Sequence, residues 1–153
     1  GQIPAPSAEV DGERAVQRYE EISSGRSSGI RGDTYYGYLP DLLATVSDSL
    51  ARHGVPVDGA RVSLYQGLFE EAWPFADPHV DAIAVAHIDC DWHDPVAYCL
   101  DAVASRVSPG GIVVLDDYFD YEGCRIAVDA FLEAHPEFEV RHRGGSLSLR
   151  RAA

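Results

Sequence analysis

A chain of 153 residues with 46% apolar and 24% charged residues has the size and composition of one globular domain, which excludes a disordered polymer. Its 25 acidic against 12 basic residues leave a formal charge of -13, which repels phosphate backbones and anionic lipid, so neither nucleic acid nor membrane is an expected partner. No apolar run approaches the roughly 20 residues that span a bilayer and no basic flank precedes an apolar signal core, so the expected compartment is the cytoplasm; a homo-oligomer is left open.

Residues 1–38 mix Pro, Gly, Ser and charge around one helix-capable piece, "AEVDGERAVQRYEEI". The "SSGRSSGIRGDTYYGY" that follows has too many Gly and Ser residues for a packed element; it reads as a loop, either a solvated linker or a lid over a site. From Pro40 the pattern sharpens. Leu39, Leu42, Leu43, Val46 and Leu50 recur at helical spacing, Pro40 suits a first turn and Gly54 a C-terminal cap, which predicts a helix of about 14 residues. "RVSLYQG" alternates apolar and polar positions up to a Gly, as a strand does before a turn.

"DAIAVAHID" is almost continuously apolar, as expected of a central parallel strand covered on both faces. Asp94 can cap the next helix with Pro95 in its first turn, and Val96, Leu100, Val103 and Val107 form its apolar stripe. "SPGG" is expected to end that helix, and "IVVLDDY" to be the next buried strand. Cys124, Ala127, Val128, Phe131 and Leu132 mark a further amphipathic helix. "FEVRHR" and "SLSLRR" around a Gly-Gly turn then predict an antiparallel hairpin. The order is that of an α/β fold with a largely parallel sheet and helices on its faces.

The strands ending at Asp89 and at Asp116 are joined by one helix, so a right-handed crossover makes them parallel neighbours, about 4.8 Å apart. Their C-terminal ends form the edge where open α/β sheets bind ligands. Asp89, Asp91, Asp116 and Asp117 therefore converge. Four like charges in a small volume take up protons or gather around a cation. With oxygen ligands only, that cation is a hard one: Mg²⁺, Mn²⁺ or Ca²⁺. Each aspartate taken singly could instead cap a helix or close a turn. Trp92 could stack on a ligand or on the next helix, and His87 and His93 read as rim and loop residues. Cys90, Cys99 and Cys124 are odd in number and lack zinc-site spacing, so they read as buried reduced thiols, with Cys124 in the core.

The run "IDCDWHDPVAYCLDAVASRVSPGGIVVLDDYFDYEGCRIAVDAFL" resembles the macrocin O-methyltransferase (TylF-type) family, which methylates sugar hydroxyls of macrolides and related natural products. The pattern is a D-x-D strand end, a helix, "SPGG", "DDY" and a "GCR-x-AVD-x-F" helix; "YQGLFEEAWP" and "GQIPAPS" extend it upstream. The resemblance implies a Rossmann-like class I fold using S-adenosylmethionine and Mg²⁺, and a small glycosylated substrate. It assigns the metal to Asp89, Asp116 and Asp117, the general base to Asp91, and the surroundings of the adenosyl group to Gln66, Gly67 and Phe69. The chain departs from the pattern at Cys90, where Gly is common, at His93, where Tyr is common, and at Ala72, where Thr is common. The family's domain opens with a strand, a Gly-rich turn and a second strand, and no such text occurs here. The expectation is therefore a single incomplete domain over residues 1–153, a loop or lid over 1–38 and an α/β core over 39–153, lacking the first two strands. The absence of Met, position 1 included, fits a segment of something longer.

Two other functions remain open at this point. A D-x-D strand end also holds Mn²⁺ against a nucleotide diphosphate in glycosyltransferases, and a half-domain without a cofactor loop can serve as a non-catalytic binding or assembly module.

Overall fold

The computed structural model describes residues 3–29 and 31–153; Gly1 and Gln2, at the start of "GQIPAPS", and Ile30, inside "SSGRSSGIRGDTYYGY", lie outside them. Five α-helices occur among the described residues: α1 (Ala8–Ser23), α2 (Leu42–Arg52), α3 (Phe69–Ala76), α4 (His93–Ala104) and α5 (Glu122–Ala134). Four strands, β1 (Ile83–Ile88), β2 (Val107–Leu115), β3 (Phe138–Arg143) and β4 (Leu147–Arg151), form one sheet in the order β1-β2-β4-β3. The β1–β2 pair is parallel and the C-terminal hairpin is antiparallel, so this is a mixed α/β sheet. The parallel part is limited to that one pair: "RVSLYQG", the strand expected before β1, forms no strand and pairs with none among the described residues.

The core lies where sheet side chains of alternating register meet the apolar faces of α4 and α5. Val113 pairs with Leu149 and Leu115 with Leu147, and all four side chains are fully buried together with Val96, Leu100 and Val128. The other face is more open: Val85, in the middle of β1, is 65% exposed. The expectation of a strand covered on both faces therefore fails for β1 among the described residues.

Local chemistry moved several boundaries. Helix α2 starts after Asp41, whose carboxylate accepts the Ala44 N–H at 2.9 Å; an Asx cap outranks the proline before it. "SPGG" does not end α4 but lies inside β2, where Gly110 takes φ 81° and the pairing with β1 slips between Ile83 and Val85. A Cβ on Gly111 would come within 3.0 Å of the Ile83 carbonyl, so glycine lets the two strands close up. Helix α3 was not anticipated: Pro74 within eight residues masks its pattern, although Glu70 and Glu71 suit a first turn.

The N-terminal stretch is not loop alone. Helix α1 runs 16 residues, bends at Gly12 (φ 79°) and packs on α5. The Ser/Gly-rich segment after it folds back on α1 through the Tyr38 hydroxyl, which donates to the Ile22 carbonyl at 2.7 Å, and through Tyr35, which is 7% exposed.

Candidate functional site

Parallel pairing of β1 and β2 aligns Ile88 with Leu115, and the Asp116 N–H donates to the Ile88 carbonyl at 3.1 Å, carrying the ladder one step beyond the strands. Asp89 and Asp116 thus leave the sheet side by side. One carboxylate oxygen from each of Asp89, Asp116 and Asp117 lies within 4.8 Å of the others. Asp89 and Asp116 are exposed and Asp117 is half-buried. His87 flanks the group, its Nε2 3.5 Å from Asp116 Oδ1.

Asp91 stands slightly apart, with its N–H donating to Asp117 Oδ2 at 3.3 Å. It has a φ of 58° and is the one positive-φ residue other than glycine among those described, a conformation that costs energy for an aspartate unless the surroundings hold it. Burial raises the Asp91 carboxyl, and the charges of Asp89 and Asp116 add to this, while the contact with Asp117 and the Arg18 guanidinium oppose it. Asp117 is pushed up to about 7, by burial first and by Asp91 next. These are the marks of like-charged carboxylates crowded together in a partly buried place. An all-oxygen donor set of this compactness suits a hard divalent cation, so the residues fit the metal expected of them.

Around Asp91 stand groups that no local pattern places there. Arg18 of α1 acts on it electrostatically and lies over the Tyr35 ring, 5.6 Å from its centroid. Burial raises the phenols of Tyr35 and Tyr121, and Asp91 contributes to both. Trp92 is 2% exposed, meets the Tyr121 ring edge-on at 5.1 Å, and donates its indole N–H to the Pro4 carbonyl at 3.1 Å. Trp92 is therefore a packed residue, not an open stacking platform.

Asp94, expected to cap α4, does not: its side chain is 93% exposed and meets only its neighbour, His93 Nδ1, at 2.8 Å. The first N–H of α4 belongs instead to Asp11 of α1, whose Oδ1 accepts from His93 N at 2.7 Å. Asp11 is 5% exposed, and its other oxygen accepts from Ser7 N, also at 2.7 Å. No sequence pattern links residues 82 positions apart; the only local hint was an Asp-Gly pair inside a helical stretch. Gly123 completes the arrangement, since a Cβ there would run into the Asp11 carboxylate and sit 2.9 Å from His93 N.

A cavity of about 220 Å³ opens beside the carboxylates, lined by Asp89, Asp91, Trp92, Gly67, Phe69 and Pro4 among others. Two of the three residues expected near an adenosyl group, Gly67 and Phe69, thus reach the carboxylate group. Gln66 lines an adjoining cavity of about 710 Å³ that faces α2. A third space of about 420 Å³ separates Ser63–Tyr65 from β1. Burial pushes the Cys124 thiol up to about 12, as for an inert core residue.

The sequence profile of the macrocin O-methyltransferase (TylF) family matches residues 31–139. The chain belongs to this family. It is 33% identical over 97 residues to mycinamicin III 3''-O-methyltransferase of Micromonospora griseorubida, covering 63% of this chain and 36% of that protein. It is also 33% identical over 92 residues to 8-demethyl-8-(2,3-dimethoxy-alpha-L-rhamnosyl)-tetracenomycin-C 4'-O-methyltransferase of Streptomyces olivaceus, covering 60% and 33% respectively. The chain spans about a third of the length of these curated relatives. Among solved structures, the O-methyltransferase NovP superposes with a TM-score of 0.70 at 20% identity, over 99% of this chain and 56% of that one. The calicheamicin-pathway TDP-rhamnose 3'-O-methyltransferase CalS11 does so with a TM-score of 0.60 at 23% identity, over 76% and 55%. Both establish the methyltransferase-type fold. Among the described residues no helix is long and apolar enough to cross a membrane.

Proposed function

We propose that this chain is the metal-binding part of an S-adenosylmethionine- and Mg²⁺-dependent O-methyltransferase, acting on a sugar hydroxyl of a glycosylated natural product in antibiotic biosynthesis. The observation that carries the proposal is the meeting of Asp89, Asp116 and Asp117 oxygens within 4.8 Å at the ends of two parallel strands, in a chain of this family. The names of the relatives, which are sugar O-methyltransferases, support the substrate class.

In this reading Asp89, Asp116 and Asp117 hold the cation. S-adenosylmethionine, when bound, supplies an electrophilic methyl group, and Mg²⁺, when bound, lowers the cost of negative charge on the acceptor oxygen. Asp91 takes the hydroxyl proton on a carboxylate oxygen. Its raised proton affinity, caused mainly by burial, makes it a stronger base than an ordinary aspartate. Gly67 and Phe69 line the cavity next to it and leave room for the methyl donor, with Gln66 beyond them. Trp92, Pro4 and Phe69 limit access of water. Residues 1–153 then form one incomplete domain, and the unpaired edge of β1 is the place where its sheet continues.

The test is a thermal melt of the complete protein with S-adenosylhomocysteine plus Mg²⁺ against a nucleotide-sugar plus Mn²⁺, followed by methyl transfer to a macrolide glycoside. Stabilisation by the first pair alone and methylation of the sugar are expected. Stabilisation by the nucleotide-sugar alone assigns the carboxylates to glycosyl transfer.

A further inference from the structure

Asp91, the residue on which the proposed chemistry turns, has a left-handed conformation and is spanned by a tight turn in which the Trp92 N–H donates to the Cys90 carbonyl at 2.6 Å. On its own position, the N–H is fixed to Asp117 at 3.3 Å. After it, two consecutive residues are tied to the same distant segment: the Trp92 indole to the Pro4 carbonyl, and the His93 N–H to the Asp11 carboxylate. Asp11 is built for this. It is the buried charged residue among those described, both its oxygens accept backbone N–H groups at 2.7 Å, and Gly123 of α5 leaves room for it alone. A carboxylate at the first N–H of a helix is also favoured by the helix dipole. Removing it would leave the part-buried His93 N–H and the Ser7 N–H without this acceptor.

We infer that Asp11 is a positioning residue of the site: it locks the start of α4 against α1 and α5 and thereby fixes the backbone of Asp91, and so the placement of its carboxylate. The inference rests on the reading of Asp91 as the base, but the latch itself does not. Helix α1 is then a fixed wall of the site, aligned by a contact between residues 82 positions apart, and the loss of that contact displaces Asp91 without removing any carboxylate around the metal.

The experiment compares Asp11→Ala and Asp11→Asn in the complete enzyme, with kcat expressed per folded molecule and KM for S-adenosylmethionine measured alongside. Asn keeps one oxygen for the His93 N–H. A displacement of the order of 1 Å costs up to about 10²-fold, so Ala is expected to lower kcat by about 10-fold or more with KM changed by less than about twofold, and Asn to recover most of the loss. In a Trp73→Phe background Trp92 is the remaining tryptophan of these residues, and Asp11→Ala is expected to shift its emission to longer wavelength and to open it to quenching. A lower melting temperature with kcat per folded molecule within about twofold of wild type overturns the inference, because a merely structural residue behaves that way. If the wild-type enzyme transfers no methyl group, the proposed function falls and the emission alone decides the latch: a shift upholds it, and an unchanged spectrum overturns it.

Discussion

Replacing Asp117 with Asn should stabilise the metal-free chain and abolish its response to Mg²⁺. Crowding raises Asp117 from the ordinary value of 3.8 to about 7, first by burial and then through Asp91. The folded state therefore holds a proton that the unfolded chain has already released between those two values. Proton uptake by the folded state alone means that stability declines as pH rises from about 4 through about 7, and the full cost is felt above it. At 1.36 kcal/mol per tenfold change in proton affinity the cost is at most ~4 kcal/mol. Asp117 is only half-buried, and solvent screening brings this to ~2 kcal/mol. Asn keeps an oxygen for the Asp91 N–H and sheds the charge, so at pH 7.5 in a chelator it should melt roughly 4–8 °C above wild type, and at pH 4 the two should converge. Excess Mg²⁺ should raise the wild type by about 2.7 kcal/mol at a hundredfold over its Kd, and leave the variant unmoved. Melts at two pH values with and without Mg²⁺ measure all of this. An Asn variant no more stable than wild type at pH 7.5 without metal, or equally stabilised by Mg²⁺, refutes the reasoning.

The other carboxylates should separate by role. In the complete protein, Asp91→Asn is expected to keep metal affinity and lose turnover by about 10²-fold or more, whereas Asp116→Asn should weaken metal affinity; titration with Mn²⁺ and single-turnover methyl transfer distinguish them. Gly123→Ala forces a methyl into the Asp11 carboxylate and should destabilise by ~2 kcal/mol or more, read in a denaturant melt; an unchanged midpoint would mean that Asp11 is not held there. Asp41→Ala removes the cap of α2 and should cost about 1 kcal/mol by the same assay, with no effect on metal binding.

What could be read from residues alone was whatever depended on short-range periodicity. The β1–α4–β2 crossover, α5 and the C-terminal hairpin follow from apolar spacing and a Gly-Gly turn, and parallel pairing follows from a single connecting helix, so Asp89 and Asp116 could be brought together before any coordinates. At the start of α4 a side chain from elsewhere decided the cap: Asp94 is the better local candidate, but Asp11 occupies the N–H. The glycines of "SPGG" looked like a stop, yet they serve the close approach of β2 to the Ile83 carbonyl. The alternation in "RVSLYQG" predicts a strand, but the structure forms none there: a strand exists only with a partner, and this segment has none among the described residues.

The two edges of the sheet differ in a way that bears on the proposal. Edge strands are commonly protected by charge. At one edge β3 reads "FEVRHR", with Glu139, Arg141 and Arg143 exposed, the kind of charge that protects an edge. At the other edge β1 reads "IAVAHI", without a single Asp, Glu, Lys or Arg, and its exposed Val85 faces a space of about 420 Å³ lined by Leu64, Tyr65 and Phe69. A strand of that composition is suited to the middle of a sheet. The solved O-methyltransferases that superpose on this chain extend well beyond it, with 56% of NovP covered. If the sheet continues at β1, the Asp89, Asp116 and Asp117 group no longer lies at the border of the fold. It then lies at the carboxyl ends of central strands, where open α/β sheets place their ligands, with the Gly67–Phe69 cavity on the side from which a methyl donor would enter.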